Sequence, residues 1–164
     1  MELRKLAILS FLVALTVALE QVMQFLPSVQ LTTLLMVLIA IKFDLKSSIL
    51  GTITYVLLDN MLGGFGVHTI PMFVSWILFV ISIYVARSKN EFVLAIMSLG
   101  FGLVYAVLLG IPSIIIYQVN PIAYIISDIP FTLIFMLVNF LTVLWLLKPL
   151  EKVFNLLQTE IEEF

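Results

Sequence analysis

From residue 6 onward the chain reads as long apolar runs separated by short polar breaks. Runs that cross a bilayer as helices need about 17–25 residues, and glycine, proline and clustered charge mark where they end. On that basis the pattern predicts helices over 6–26, 29–42, 47–62, 69–86, 91–110 and 128–147. The second and third are short and are expected to tilt little or to sit in a thinned region. Between the last two lies "GIPSIIIYQVNPIAYIIS", apolar but interrupted by two prolines. It is expected to form a loop or short helix over the mouth of a bundle. After the last run, "EKVFNLLQTEIEEF" (151–164) is expected to be an amphipathic cytoplasmic extension of the final helix, with Trp145 as an interfacial anchor. The expected fold is therefore all-α: a single polytopic membrane domain over residues 1–164 with six transmembrane helices.

Composition agrees with the pattern. Hydrophobic residues make up 63% of the 164 positions and charged residues only 11%, too few charges to build a water-facing surface. There is no cysteine, hence no disulfide framework and no thiolate metal site. The net charge of −2 carries no sign of nucleic-acid binding. The first run follows "MELRK" but lacks a small-residue cleavage site and is followed by further apolar runs. It is expected to be a retained helix, not a signal peptide.

Charge placement then gives an orientation. The eight basic residues fall into four clusters: Arg4 and Lys5, Lys42 and Lys46, Arg87 and Lys89, Lys148 and Lys152. With the predicted helices all four lie on one side, and the opposite connections hold no Lys or Arg. Basic residues mark the cytoplasmic face, so both termini are expected in the cytoplasm. Glu2, Asp44, Glu91, Glu151 and the acidic tail accompany these clusters. Glu20, Asp59 and Asp128 do not. Each lies near the outer end of its run, where an unpaired carboxylate is costly unless it faces a bundle interior or a watery cavity.

Both readings of these three acids stay open on sequence. Glu20 and Asp59 suit either a wet headgroup layer or a polar pocket. Asp59 near a helix C-terminus opposes the helix dipole, which favours a functional reason. Asp128 in "SDIPF" suits either the pocket or the N-cap of the last helix, with Pro130 in its first turn. In "VLLDNMLGGFGVHTIP" (56–71) a carboxylate, an amide, three glycines and the single histidine lie together on the outer side. Such a turn can act as a hinge or close over a pocket, with Asp59, Asn60 and His68 on its rim.

The first helix presents a second feature. Ala7, Ser10, Ala14 and Ala18 recur at three- and four-residue spacing, one narrow stripe at about 100° per residue. Ala14 and Ala18 form a small-xxx-small pair that lets another helix approach closely. Glu20 points well away from this stripe. The stripe is either a face for a partner or a contact inside the same bundle.

No phosphate loop, HExxH, GxSxG or His/Cys metal cluster is present. No nucleophile is placed beside Asp59 and His68. The chain is expected not to be an enzyme, to carry no cofactor or metal, and to need energy from elsewhere for any active transport.

The closing stretch "YIISDIPFTLIFMLVNFLTVLWLLKPLEKVF" resembles the last helix of the substrate-binding S components of energy-coupling factor (ECF) vitamin transporters. Ile129-Pro130-Phe131, Asn139-Phe140 and Lys148-Pro149-Leu150 match that pattern. "GGFGVHTIPMFVSWILF" is similar to the loop and fourth helix of the same group through Gly64, Gly66, Thr69 and Trp76, with Pro71 displaced by one residue. Ala14 and Ala18 fit the AxxxA motif through which S components meet their scaffold. Thr132 stands where an Asp is usual, and Phe135 where a His is usual.

The resemblance implies a bacterial plasma-membrane protein that captures a vitamin or vitamin precursor from outside. It implies as partners a transmembrane scaffold subunit (the T component) and two ABC ATPases, with surrounding lipid. Candidate substrate contacts are Glu20, Gln24, Asp59, Asn60, His68, Trp76, Tyr117, Tyr124, Asp128, Thr132 and Asn139. Candidate partner contacts are Ala7, Ser10, Ala14 and Ala18. Anionic vitamins would ordinarily be met by Arg or Lys, and the outer half has neither. A neutral or cationic ligand rich in donors is expected: an aminopyrimidine, a pyridine vitamer, thiamine or cobalamin, with Trp76, Tyr117, Tyr124 or His68 stacking on a ring. The alternative is a structural protein resembling the cell-shape factor MreD, of similar size with a comparable segment after its third helix. A stand-alone carrier is disfavoured by the lack of an inverted repeat or a charged path through the inner half.

Overall fold

The computed structural model describes the backbone of residues 3–162 and the side chains of residues 3–156. Expectations about Glu2, the last two residues and the tail's side chains past 156 lie outside the described residues. Among the described residues every element is helical: α1 (Leu3–Met23), α2 (Thr32–Lys42), α3 (Leu45–Gly63), α4 (Thr69–Ala86), α5 (Glu91–Ile116) and α6 (Pro121–Glu162). Four of them, α1, α4, α5 and α6, are long and apolar enough to cross a membrane. Their outward faces carry Phe11, Leu78, Val107, Ile125, Leu137 and Trp145, all exposed. A surface of that kind is covered by lipid, and the chain is a membrane protein by character.

Local signals set most boundaries. Asp44 caps α3 by accepting from the Ser47 N–H at 3.1 Å and the Ser47 hydroxyl at 2.7 Å. Gly64, at φ +96°, ends it in a conformation glycine adopts freely. Asn90 caps α5 by accepting from the Val93 N–H. Helix α4 occupies the predicted interval.

Two predicted boundaries are corrected. The proline-bearing stretch before residue 128 is not a loop over the bundle. Helix α5 runs through Pro112 to Ile116, residues 117–120 make a tight link, and α6 begins at Pro121. Proline at the first helical position loses no bond, because that N–H has no partner there. Asn120 caps the helix, its side-chain oxygen accepting from the Ile122 and Ala123 N–H groups. Asp128 is therefore not an N-cap; it lies two turns inside α6 with Pro130 beyond it. The second correction concerns α2. At 11 residues it rises about 16 Å, roughly half of a hydrocarbon core of about 30 Å. It is buried along Thr32–Ala40 and packs against α1, α3, α4 and α6. An all-round apolar helix at the centre of a bundle is the expected result of such a sequence. The segment 24–31 that precedes it is irregular.

One end of the bundle gathers the basic residues. Lys42 Nζ lies 2.9 Å from Glu151 Oε1 and 3.1 Å from Asn155 Oδ1. Lys148 pairs with Glu91, Phe43 packs edge-on against Phe154, and Lys5 stands within electrostatic reach of Asp44. The ends of α1, α2, α5 and α6 that bear these residues therefore meet. Arg87 and Lys89, in the link into α5, belong to the same end.

Candidate ligand-binding site at the cation-free end

The opposite end is built from the close of α1, the link 24–31, the start of α2, the α3–α4 loop and the α5–α6 turn. No Lys or Arg lies in any of these segments. Two polar groupings form there, separated by an aromatic cluster.

The inner grouping is centred on Glu20. The buried face of α1 (Leu9, Leu12, Val13, Thr16, Val17) leads to it. Its Oε2 accepts from the Thr32 hydroxyl at 3.0 Å and from the Tyr55 hydroxyl. Thr32 and Tyr55 are 1% and 0% exposed, so this is an uncompensated carboxylate held in the protein by hydroxyl donors. Asp59, one helical turn beyond Tyr55 on α3, stands within electrostatic reach of Glu20 on one side and of His68 on the other.

Next to it lies a closed aromatic cluster. Trp76 is fully buried, with ring centroids 5.5 Å from Tyr55, 4.7 Å from Phe101 and 5.9 Å from Tyr105. Phe135 follows, 5.6 Å from Tyr105. The Trp76 indole N–H, beside Tyr105, completes no hydrogen bond of ordinary geometry. Both amide atoms of Asn139, fully buried one turn deeper on α6 than Phe135, also lack a partner among the described residues.

The outer grouping lines a cavity of about 210 Å3 between the irregular link and the paired helices α5 and α6. Its walls include Ser28 and Gln30 from the link, Tyr105 from α5, and Asp128, Thr132 and Phe135 from α6. The Thr132 hydroxyl donates to Asp128 Oδ2 at 2.6 Å. Residues 128, 132 and 135 share one face of the helix, which is why they meet one wall. Ser28 holds a positive φ of 61°, a backbone state that costs a non-glycine residue about 1–3 kcal/mol and is held in place by its surroundings.

The structure thus sorts the candidate contacts. Asp128, Thr132 and Tyr124 line the cavity. Glu20 and Asp59 form the neighbouring inner group. Asn60 is buried and engaged: it donates to the Val56 carbonyl at 2.8 Å and accepts from the Thr69 hydroxyl at 2.6 Å. Thr69 Oγ1 in turn accepts from the Gly66 N–H at 3.0 Å. That chain of bonds ties down the α3–α4 loop, so Asn60 shapes the rim from beneath. His68 is exposed over Gly66. Trp76 lies in the core, where no ligand ring stacks on it, and Asn139 is equally enclosed. Gln24 and Tyr117 are on the surface and do not line the cavity.

Tyr105, Ser28, Gln30 and the Thr32–Tyr55 pair are site residues that pattern reading missed. A signal for the last existed: a carboxylate in a cation-free half needs donors, and hydroxyl side chains are the donors that half supplies.

Among the described residues no three His, Cys, Asp or Glu side chains converge as a metal site. Comparison of the chain with family models, with curated proteins and with solved structures gives no match.

Proposed function

We propose that this chain is the substrate-capturing S component of an ECF-type transporter in a bacterial plasma membrane. In this reading six helices cross the bilayer, the basic end and both termini are cytoplasmic, and the cation-free end faces outward. Helix α2 crosses together with the irregular link before it. Irregular backbone at membrane depth is tolerated where it lines a cavity, and this link does. The observation that carries the reading is the outer cavity itself: a carboxylate–hydroxyl pair on α6 facing a strained link, with no cation in reach. A volume of about 210 Å3, roughly seven water-sized groups, suits a single substituted ring and not a corrinoid. The absence of Lys and Arg favours a neutral or cationic, donor-rich ligand, and the volume favours one that places a single pyrimidine- or pyridine-type ring here.

The docking face has support of its own. Ala7, Ser10, Ala14 and Ala18 are all exposed, on the side of α1 away from its buried face. Ser10 and Ala14 border a shallow groove with Gly51 and Thr54 of α3. Such a surface lets the helix of a scaffold subunit approach closely. ATP hydrolysis would come from two partner ATPases.

Native mass spectrometry of the chain purified in mild detergent, with a panel of labelled vitamins, tests the capture step. Retention of a cationic or neutral ring-bearing vitamin, lost in Asp128→Asn, is expected, together with co-purification of ABC ATPases. Co-purification with cell-shape proteins, and no retained small molecule, would replace this reading by the structural one. Orientation is tested by single cysteines. Cysteine at Phe65 or Gln118 is expected to react with an impermeant maleimide on intact cells, and cysteine at Lys46 or Ser88 only after permeabilisation. The reverse pattern sinks the topology.

A further inference from the structure

Behind the polar cavity lies a second, larger one. It occupies about 400 Å3 between the outer halves of α5 and α6 and is walled by apolar side chains, among them Leu103, Val107, Ile111, Ile125, Ile129 and Leu133. These six are exposed on the outside of the bundle, so the cleft opens toward lipid. It is not a loose seam. At one end Gly102 lets the backbone of α6 at Met136 approach, and at the other Gly110 receives the ring of Tyr124. Close contacts thus hold the two helices together at both ends of the cleft.

The two cavities share Ala106, Tyr124, Asp128 and Thr132. The Asp128–Thr132 pair therefore stands at the junction of a polar volume and an apolar one. Bilayer hydrocarbon alone would leave the carboxylate facing alkane, an unfavourable contact. A molecule with a cationic, hydrogen-bond-donating head and an apolar body satisfies both walls at once. At roughly 30 Å3 per water-sized group, the cleft holds about a dozen non-hydrogen atoms.

We propose that the captured ligand is amphiphilic. Its ammonium or amidinium-type head is bound at Asp128–Thr132, and its apolar body lies in the α5–α6 cleft, which serves as a lateral opening to the membrane. This rests on the capture reading and adds the ligand's shape and route of entry. The head exchanges water for a charge-assisted bond to Asp128, and the body adds apolar burial at about 25 cal/mol per Å2.

A photoactivatable decylamine carrying a diazirine near its chain end tests this, with the full chain in phosphatidylcholine nanodiscs. Crosslinks are expected on 103–114 and 125–136. Decylamine should compete at least roughly tenfold better than decanoate or butylamine, equivalent to about 1.4 kcal/mol. Asp128→Asn, an isosteric change, and Val107→Trp, which fills the cleft from its lipid side, should each lower labelling by a similar factor. Unchanged thermal unfolding of both variants shows that they fold. Equal competition by decanoate, indifference to both substitutions, or displacement of the probe by added phosphatidylethanolamine overturns the proposal, the last by making the cleft a lipid seat. The vitamin panel is read on the same variants. A purely polar vitamin that needs Asp128 but ignores Val107→Trp refutes the amphiphile and leaves capture intact. Loss of both probe and vitamin binding in the parent protein refutes capture as well.

Discussion

The two ends of the bundle treat charge in opposite ways. At the basic end the acids Glu91 and Glu151 each pair with a lysine, and Asp44 is capped by Ser47. At the other end Glu20 is held by two hydroxyls, and Asp128 by one. An ion pair at a wet surface contributes little and is easily replaced. A carboxylate held inside by neutral donors has no cheap substitute, because its donors are stranded when it goes. The difference teaches where this molecule concentrates its constraints: the basic end fixes orientation, and the cation-free end fixes a site.

The comparison is broken most sharply at Glu20. Alanine there leaves the Tyr55 and Thr32 hydroxyls buried without a partner, and about 1–3 kcal/mol is expected to be lost for each. Thermal unfolding in detergent should show a large drop, and ligand retention should fail. Glu20→Gln keeps an acceptor oxygen and the volume, so stability should return close to the parent value. If a cationic ligand senses Glu20, its affinity stays reduced in Glu20→Gln. Full recovery of binding would make Glu20 a structural acceptor only.

Asn60 sharpens the same contrast. Asn60→Ala frees Thr69 Oγ1 from its acceptor and leaves a gap under the α3–α4 loop. A loss of about 1–3 kcal/mol is expected, with faster hydrogen exchange across residues 63–69. Unchanged exchange there would show that the loop is held by other means.

How much of this was legible beforehand follows from the kind of information each feature needs. The basic clusters, the cation-free acids and the interval of α4 are one-dimensional patterns and were readable as such. The spacing of the Ala7–Ala18 stripe is equally one-dimensional, but its exposure is decided only by the fold. The α5–α6 pair is not legible in this way, because proline reads locally as a break. Pro121 begins a helix, where it is tolerated, while Pro112 and Pro130 sit inside helices whose freed carbonyls neighbouring groups can satisfy in a bundle. The Glu20–Tyr55 bond joins positions 35 apart in sequence, and no periodicity announces such a pair. Sequence offers Trp76 as a stacking surface for a ligand ring. In space it meets Tyr55, Phe101 and Tyr105, and that contact exists only once α3, α4 and α5 assemble.

At the basic end the effects should be small. A double-mutant cycle on Lys42 and Glu151 is expected to give a coupling of about 0.2–1 kcal/mol, falling with added salt. Lys42 also borders the Phe154 ring and accompanies the Phe43–Phe154 contact, so Lys42→Ala alone should cost more than the coupling. A coupling of several kcal/mol would place that pair in the same class as Glu20 and end the contrast.

The smallest effect concerns Asp44. Hydrogen bonds from the Ser47 hydroxyl, then from the Ser47 N–H, hold its carboxyl below the usual range, and Lys5 adds a weaker pull in the same direction. A group whose folded pKa is lowered contributes stability that is fully present above its unfolded value, about 3.9. That contribution is lost as pH falls through the lower folded value. Stability measured from pH 6 down to about pH 2.5 should therefore include a small acid-side loss that Asp44→Asn lacks, since asparagine still caps a helix. The paired curves isolate the contribution of this one carboxyl. Coincident curves would mean that the cap contributes equally in both protonation states. The basic end would then owe its stability to packing around Phe43 and Phe154, and not to charge.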